Sequence, residues 1–98
     1  MKFKDITIQD FKQKLQDSAL LIDIRDKDSY NYSNIPNSKN YNSEDIMKLI
    51  NEESKDTNIV IYCYHGNSSR KVASFISSYG FKNVYSLIGG IDAWENSL

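Results

Sequence analysis

Short apolar runs alternate along this chain with stretches in which apolar residues recur at helical spacing. Residues 3–6 predict a first short strand. Thr7 with Asp10 three residues on matches a capping pair, after which Ile8, Phe11 and Leu15 share one helical face. The run Ala19-Leu20-Leu21-Ile22-Asp23 is too short for a helix and suits a strand buried on both faces. A single helical turn is expected over 28–32, ending before Pro36, and a strand over 39–41. Ser43 is expected to cap a helix carrying Ile46, Leu49 and Ile50 on one face.

The second half of the chain is clearer. Asn58-Ile59-Val60-Ile61-Tyr62-Cys63 is β-branched and apolar, the pattern of a central strand. From Ser68 or Ser69 onward, Val72, Phe75, Ile76 and Tyr79 mark one helical stripe, closed by Gly80. Residues 83–86 form a further strand in this reading, Gly89-Gly90 a tight turn, and 91–95 a last short helix. Strands alternating with helices predict an α/β fold: a central, mainly parallel five-stranded sheet with helices on both faces. At 98 residues there is room for one such domain, spanning 1–98.

Composition narrows the function classes. Twelve basic and thirteen acidic residues give a net charge of −1. That balance offers neither the basic surface that nucleic acid requires nor a polybasic membrane anchor. The apolar runs are too short to span a bilayer, and the opening Met1-Lys2-Phe3-Lys4-Asp5 does not read as a signal peptide. The single cysteine, Cys63, has no partner for an intrachain disulfide, and with only His65 beside it no metal site is expected. A soluble, reduced, cytoplasmic domain is the expectation.

Cys63 ends the best strand and stands just before the best helix, where ligands bind in open parallel sheets. If the segment Cys63-Tyr64-His65-Gly66-Asn67-Ser68-Ser69-Arg70 curls, its N–H groups and the helix N-terminus converge on the sulfur. That setting favours a nucleophilic thiolate. A small buried hydrophobe at a strand end has the same local sequence, and on these residues alone the two readings stand level. Arg25, with Asp23, Asp26 and Asp28 close by, reads as a structural ion pair. Arg70 lies in the first helical turn, where a cation opposes the dipole, so a use in attracting an anion is weighed equally with a solvated side chain. His65 is expected to point outward, in a surface or partner-contact role.

The loop Cys63-Tyr64-His65-Gly66-Asn67-Ser68-Ser69 resembles the active-site loop of rhodanese-like sulfurtransferases, in particular of the small single-domain bacterial thiosulfate sulfurtransferases. Asp23-Ile24-Arg25-Asp26 with Ser29-Tyr30, and Gly89-Gly90-Ile91-Asp92-Ala93-Trp94, are similar to two further segments of that family. The chain departs from it at Ser33-Asn34-Ile35-Pro36-Asn37-Ser38, where Gly-His-Ile-Pro-Gly-Ala is usual, and at Ser68, where many members carry Arg. The resemblance implies sulfur transfer from thiosulfate through a Cys63 persulfide, in a ping-pong cycle. The remaining loop residues, from Tyr64 through Arg70, would bind substrate, and cyanide or a thioredoxin-like dithiol would accept the sulfur. It implies no metal or organic cofactor. Two alternatives accompany it: a cysteine phosphatase or arsenate reductase on the related fold, and a binding module without chemistry. The phosphatase motif Cys-x-x-x-x-x-Arg is out of register here, because its Arg position is Ser69.

Overall fold

The computed structural model describes residues 2–98. Its five strands are β1 (Lys4–Ile6), β2 (Leu20–Asp23), β3 (Lys39–Asn40), β4 (Asn58–Tyr62) and β5 (Asn83–Leu87). They form one sheet in the order β1-β5-β4-β2-β3, with every pairing parallel. The helices are α1 (Ile8–Asp10), which runs on as a π-helical segment (Phe11–Leu15), α2 (Lys27–Tyr32), α3 (Ser43–Glu52), α4 (Asn67–Ser77) and α5 (Gly90–Asn96).

Successive side chains of a strand point to opposite faces, so an uninterrupted apolar strand feeds two cores. In β4, Ile59 and Ile61 join Ile22, Val84 and residues of α3 and α4 in one core. Val60 and Tyr62 join Ile6, Phe11, Leu15, Leu87, Ile91 and Trp94 in the other. Fully buried, each such aliphatic side chain stabilises the fold by about 1.5–3 kcal/mol. Helices therefore cover both faces, as the alternation predicts.

Three local expectations are corrected. The cap of α3 is Asn42, not Ser43: its side chain accepts the Asp45 N–H at 2.9 Å while the Asp45 carboxylate accepts the Asn42 N–H at 3.0 Å. The chain is still extended at Asn42, and Ser43 is already helical, one residue too late to cap. The buried face of α4 is Ser69, Ala73, Ile76 and Ser77, whereas Phe75 and Tyr79 are nearly half exposed and pair edge-to-face at 5.3 Å. Small residues let α4 lie close against β4 and β5, and a count of large apolar positions overlooks them. Gly89-Gly90 is not a free-standing turn. Gly89 is the N-cap of α5 and Gly90 its first residue.

The departure at 33–38 has a structural explanation. Asn37 occupies the usual glycine position with φ of 70°, a left-handed value that Asn tolerates better than most side chains. The buried Tyr62 hydroxyl anchors this turn to β4, accepting the Ile35 N–H at 3.2 Å and lying 3.0 Å from Ser38 Oγ.

Candidate active site

β4 ends at Tyr62 and α4 begins at Asn67, so the chain turns within Cys63, Tyr64, His65 and Gly66. Gly66 makes the turn with φ of 105°, a conformation that would strain any side chain. A β-carbon there would also come within 3.3 Å of the Gly89 nitrogen. The result is a closed loop around the sulfur. Cys63 Sγ accepts the Gly66 N–H at 3.2 Å and the Ser69 N–H at 3.3 Å, and as a thiol it donates to Ser69 Oγ at 3.5 Å.

Only 5% of Cys63 is exposed. Burial is the largest single influence on its thiol and pushes the pKa up. The Ser69 hydroxyl and the N–H groups of Ser69, Gly66 and His65 together outweigh it, and the net direction is down. These hydrogen bonds shift the sulfur toward its charged form, and among the described residues the groups that do so are a hydroxyl and backbone amides.

The first turn of α5 holds the loop from the other side. The Ile91 N–H donates to the Cys63 carbonyl at 2.9 Å and the Asp92 N–H to the Tyr64 carbonyl at 3.4 Å. In a trans peptide C=O and N–H point in opposite directions. Turning the Tyr64 carbonyl toward α5 therefore turns the His65 N–H toward the sulfur. Gly90 permits this approach, since a β-carbon there would sit 2.3 Å from the Cys63 carbonyl oxygen.

The expected loop residues divide by where their side chains go. Ser69 is fully buried beneath the sulfur, and Gly66 is buried at the crown. Asn67 and Ser68 are exposed in the first turn of α4. Tyr64 turns aside, donating to Asp26 Oδ1 at 2.6 Å and lying 2.7 Å from Ser29 Oγ. His65 faces solvent with Nδ1 3.1 Å from Asp92 Oδ2. Arg70 pairs with Asp5, and its guanidinium lies 5.1 Å over the Phe3 ring. His65, Gly66, Asn67, Arg70, Asp5 and Ser86 share in lining a cavity of about 310 Å³. A larger cavity of about 850 Å³ opens between α2 and α3 and is lined by none of Cys63 through Arg70.

Arg25 forms the ion pair expected of it. Its Nη2 is 2.8 Å from Asp23 Oδ2 with both side chains buried, and it also donates to the Ser33 carbonyl. The guanidinium lies between the rings of Tyr62 and Tyr64, 5.7 and 5.4 Å from their centroids. Three further residues shape the site although the sequence assigns them no part in it. Gly90 was visible in the Gly-Gly pair. Ser86 carried a signal as well, a polar residue on the same strand face as Val84. Asp26 stands in the sequence as a carboxylate close to Arg25 and three residues before Ser29, with nothing local to tie it to Tyr64. Among the described residues no group of three or more His, Cys, Asp or Glu is placed to hold a metal ion, and no helix is long and apolar enough to cross a membrane.

Comparison with known proteins places the chain in a family. The rhodanese-like domain family matches residues 7–97. The chain belongs to that family. It is 39% identical over 94 residues to proteins named thiosulfate sulfurtransferase GlpE from two strains of Haemophilus influenzae, 86-028NP and Rd, covering 96% of this chain and 90% of each relative. Among solved structures, a rhodanese-like domain protein from Staphylococcus aureus superimposes with a TM-score of 0.80 at 29% identity, covering 94% of this chain and 91% of that one. A rhodanese-related protein from Thermoplasma volcanium does so with a TM-score of 0.78 at 25% identity, over 97% and 93%.

Proposed function

We propose that this rhodanese-like domain is a thiosulfate sulfurtransferase whose nucleophile is Cys63. The observation that carries the reading is the sulfur held under the N–H groups of Gly66 and Ser69 at the start of α4. The 39% identity to proteins named for that activity supports it.

In the first step the Cys63 thiolate attacks the outer sulfur of thiosulfate. A new sulfur–sulfur bond forms, the thiosulfate bond breaks, and its electron pair leaves on sulfite. The negative charge passes to the terminal sulfur of the persulfide, where the loop amides can still meet it. In the second step cyanide attacks that terminal sulfur, giving thiocyanate and restoring the thiolate. With a thioredoxin-like dithiol, one thiolate takes the sulfur and the second thiol expels it as hydrosulfide, leaving a disulfide on the acceptor. Each step is a displacement at sulfur, so the cycle needs no metal or organic cofactor. The donor is a small anion and the acceptor a thiophile, with no part for nucleic acid or membrane. Reducing cytoplasm, where a lone thiol stays free, is the compartment that suits it.

A cysteine phosphatase is the weaker reading. It would need a guanidinium over the loop, and Arg70 comes one residue late and is engaged with Asp5 and Phe3. A non-catalytic module would have no use for N–H groups converging on a thiol and lowering its pKa. Intact mass after incubation with thiosulfate separates the three. The expected result is one added sulfur, removed by cyanide. Hydrolysis of a phosphate monoester with no sulfur gain would favour the phosphatase, and neither activity in a thiol that resists alkylation would favour the binding module.

A further inference from the structure

Beneath Cys63 lie two buried hydroxyls. Ser69 is wholly inaccessible and Ser86, on β5, is 1% exposed. Their oxygens are 2.7 Å apart. A serine hydroxyl has one proton to give and two lone pairs with which to accept. In the resting thiol form the Ser69 proton goes to the Gly66 carbonyl at 3.2 Å, and the Cys63 thiol donates to Ser69 Oγ. With the Ser69 proton placed there, Ser86 is the donor of the 2.7 Å bond. Among the described residues Ser69 Oγ is the only side-chain or backbone group hydrogen-bonded to the Ser86 hydroxyl.

Loss of the thiol proton reverses the demand on Ser69. The sulfur becomes an acceptor, and the Ser69 hydroxyl serves it by swinging its proton away from the Gly66 carbonyl, which as the N-cap carbonyl of α4 retains a helical donor. Ser86 goes on donating to Ser69 Oγ in both forms. A donor behind a donor polarises it and strengthens the bond in front. We propose that Ser86 is a positioning residue for the Cys63 sulfur, acting through Ser69. The inference rests on the reading of Cys63 as nucleophile. It does not depend on which sulfur donor or acceptor the protein uses.

The alternative is that the serine pair only fastens α4 to β5. The two roles differ in what a pH profile records. Iodoacetamide alkylation of folded protein, followed against pH, reports the thiolate without requiring thiosulfate, so this test can fail while sulfur transfer stands. Ser86→Ala removes one oxygen and leaves Ser69 its Gly66 partner, so the fold survives; melting curves verify this for every variant. Ser86→Ala should move the profile to higher pH and slow alkylation near neutrality roughly threefold, the scale of one neutral hydrogen bond. Ser86→Thr, which restores a hydroxyl, should return the profile toward the parent. Ser69→Ala should shift it further, and the double variant should match Ser69→Ala alone, because Ser86 reaches the sulfur only through Ser69. A Ser86→Ala profile superimposable on the parent overturns the proposal. So does a double variant displaced from Ser69→Ala by the full Ser86→Ala shift.

Discussion

Two neighbouring turns of this molecule solve the same problem with different atoms. Adjacent parallel strands β2 and β4 each run into a helix, and each helix begins with N–H groups that need acceptors. At α2 the third N–H, from Ser29, is taken by the Asp26 carboxylate at 3.0 Å. At α4 the third N–H, from Ser69, is taken by the sulfur of Cys63 at 3.3 Å, and the cap residue Gly66 has no side chain to compete. In α1 and α3 the same position is again capped locally, by Thr7 and Asn42. A side chain that caps its own helix is spent on structure. At α4 the cap comes from a polarisable sulfur at the strand end, and in the proposed cycle that acceptor takes on a sulfur atom without leaving its donors. The β2 turn in turn braces the β4 turn, through Asp26 to the Tyr64 hydroxyl and through Arg25 between Tyr62 and Tyr64.

The sharpest way to break this contrast is Cys63→Ser. Oxygen still accepts from the Ser69 and Gly66 N–H groups, so the protein should melt within a few degrees of the parent. Sulfur uptake from thiosulfate should vanish, because serine forms no persulfide and the chain has no second thiol. Mass spectrometry checks it, and any transferable sulfur on the variant would sink the mechanism.

Arg25→Ala tests the supporting turn. It leaves the buried Asp23 carboxylate without its cation, a loss of about 3–5 kcal/mol in stability. For a domain of this size the melting temperature should fall by well over ~10 °C. Sulfur uptake per folded molecule should be retained. A variant that melts like the parent yet loses affinity for thiosulfate would move Arg25 into the substrate site.

Gly66→Val acts on the crown of the other turn. Forcing a β-branched residue to positive φ costs about 1–3 kcal/mol. Displacing the loop by an ångström should lower turnover about a hundredfold. A stability loss of that size leaves the protein folded at assay temperature. Turnover should therefore be nearly lost in a protein that still melts cooperatively, as turnover measured beside melting will show. Loss of both in step would mean that Gly66 serves the backbone alone.

The smallest effects are in pH. Tyr64, and then the Ser29 hydroxyl and N–H, hold Asp26 down at about 2. Its stabilisation is present above the ordinary carboxylate value and is lost as pH falls through about 2. Cys63 is also lowered, so its stabilisation is present above the ordinary thiol value and is lost as pH falls through the folded one. The melting difference between the parent and Asp26→Ala should accordingly shrink on acidification. The difference between the parent and Cys63→Ala should grow as pH rises toward about 8.5, the ordinary thiol range. A flat difference on the alkaline side would remove the amides as the cause of the thiolate.

By itself the sequence determined the order of elements, the parallel sheet and the place of Cys63 between its central strand and the next helix, although the strand ends one residue earlier than expected, at Tyr62. Those follow from local physics: a run as short and β-branched as 58–62 suits a buried strand better than a helix, and residues 64–66 after it have the pattern of neither. The tertiary structure decided which atoms surround the sulfur. Ser86 lies seventeen residues beyond Ser69 and meets it only because β5 pairs with β4 beneath α4. Gly90 contacts the Cys63 carbonyl only because α5 returns to the same end of the sheet. Small residues carry both contacts, and a hydrophobic pattern gives Ser and Gly little weight. Their value here is the closeness they allow, and closeness between distant segments is set by packing.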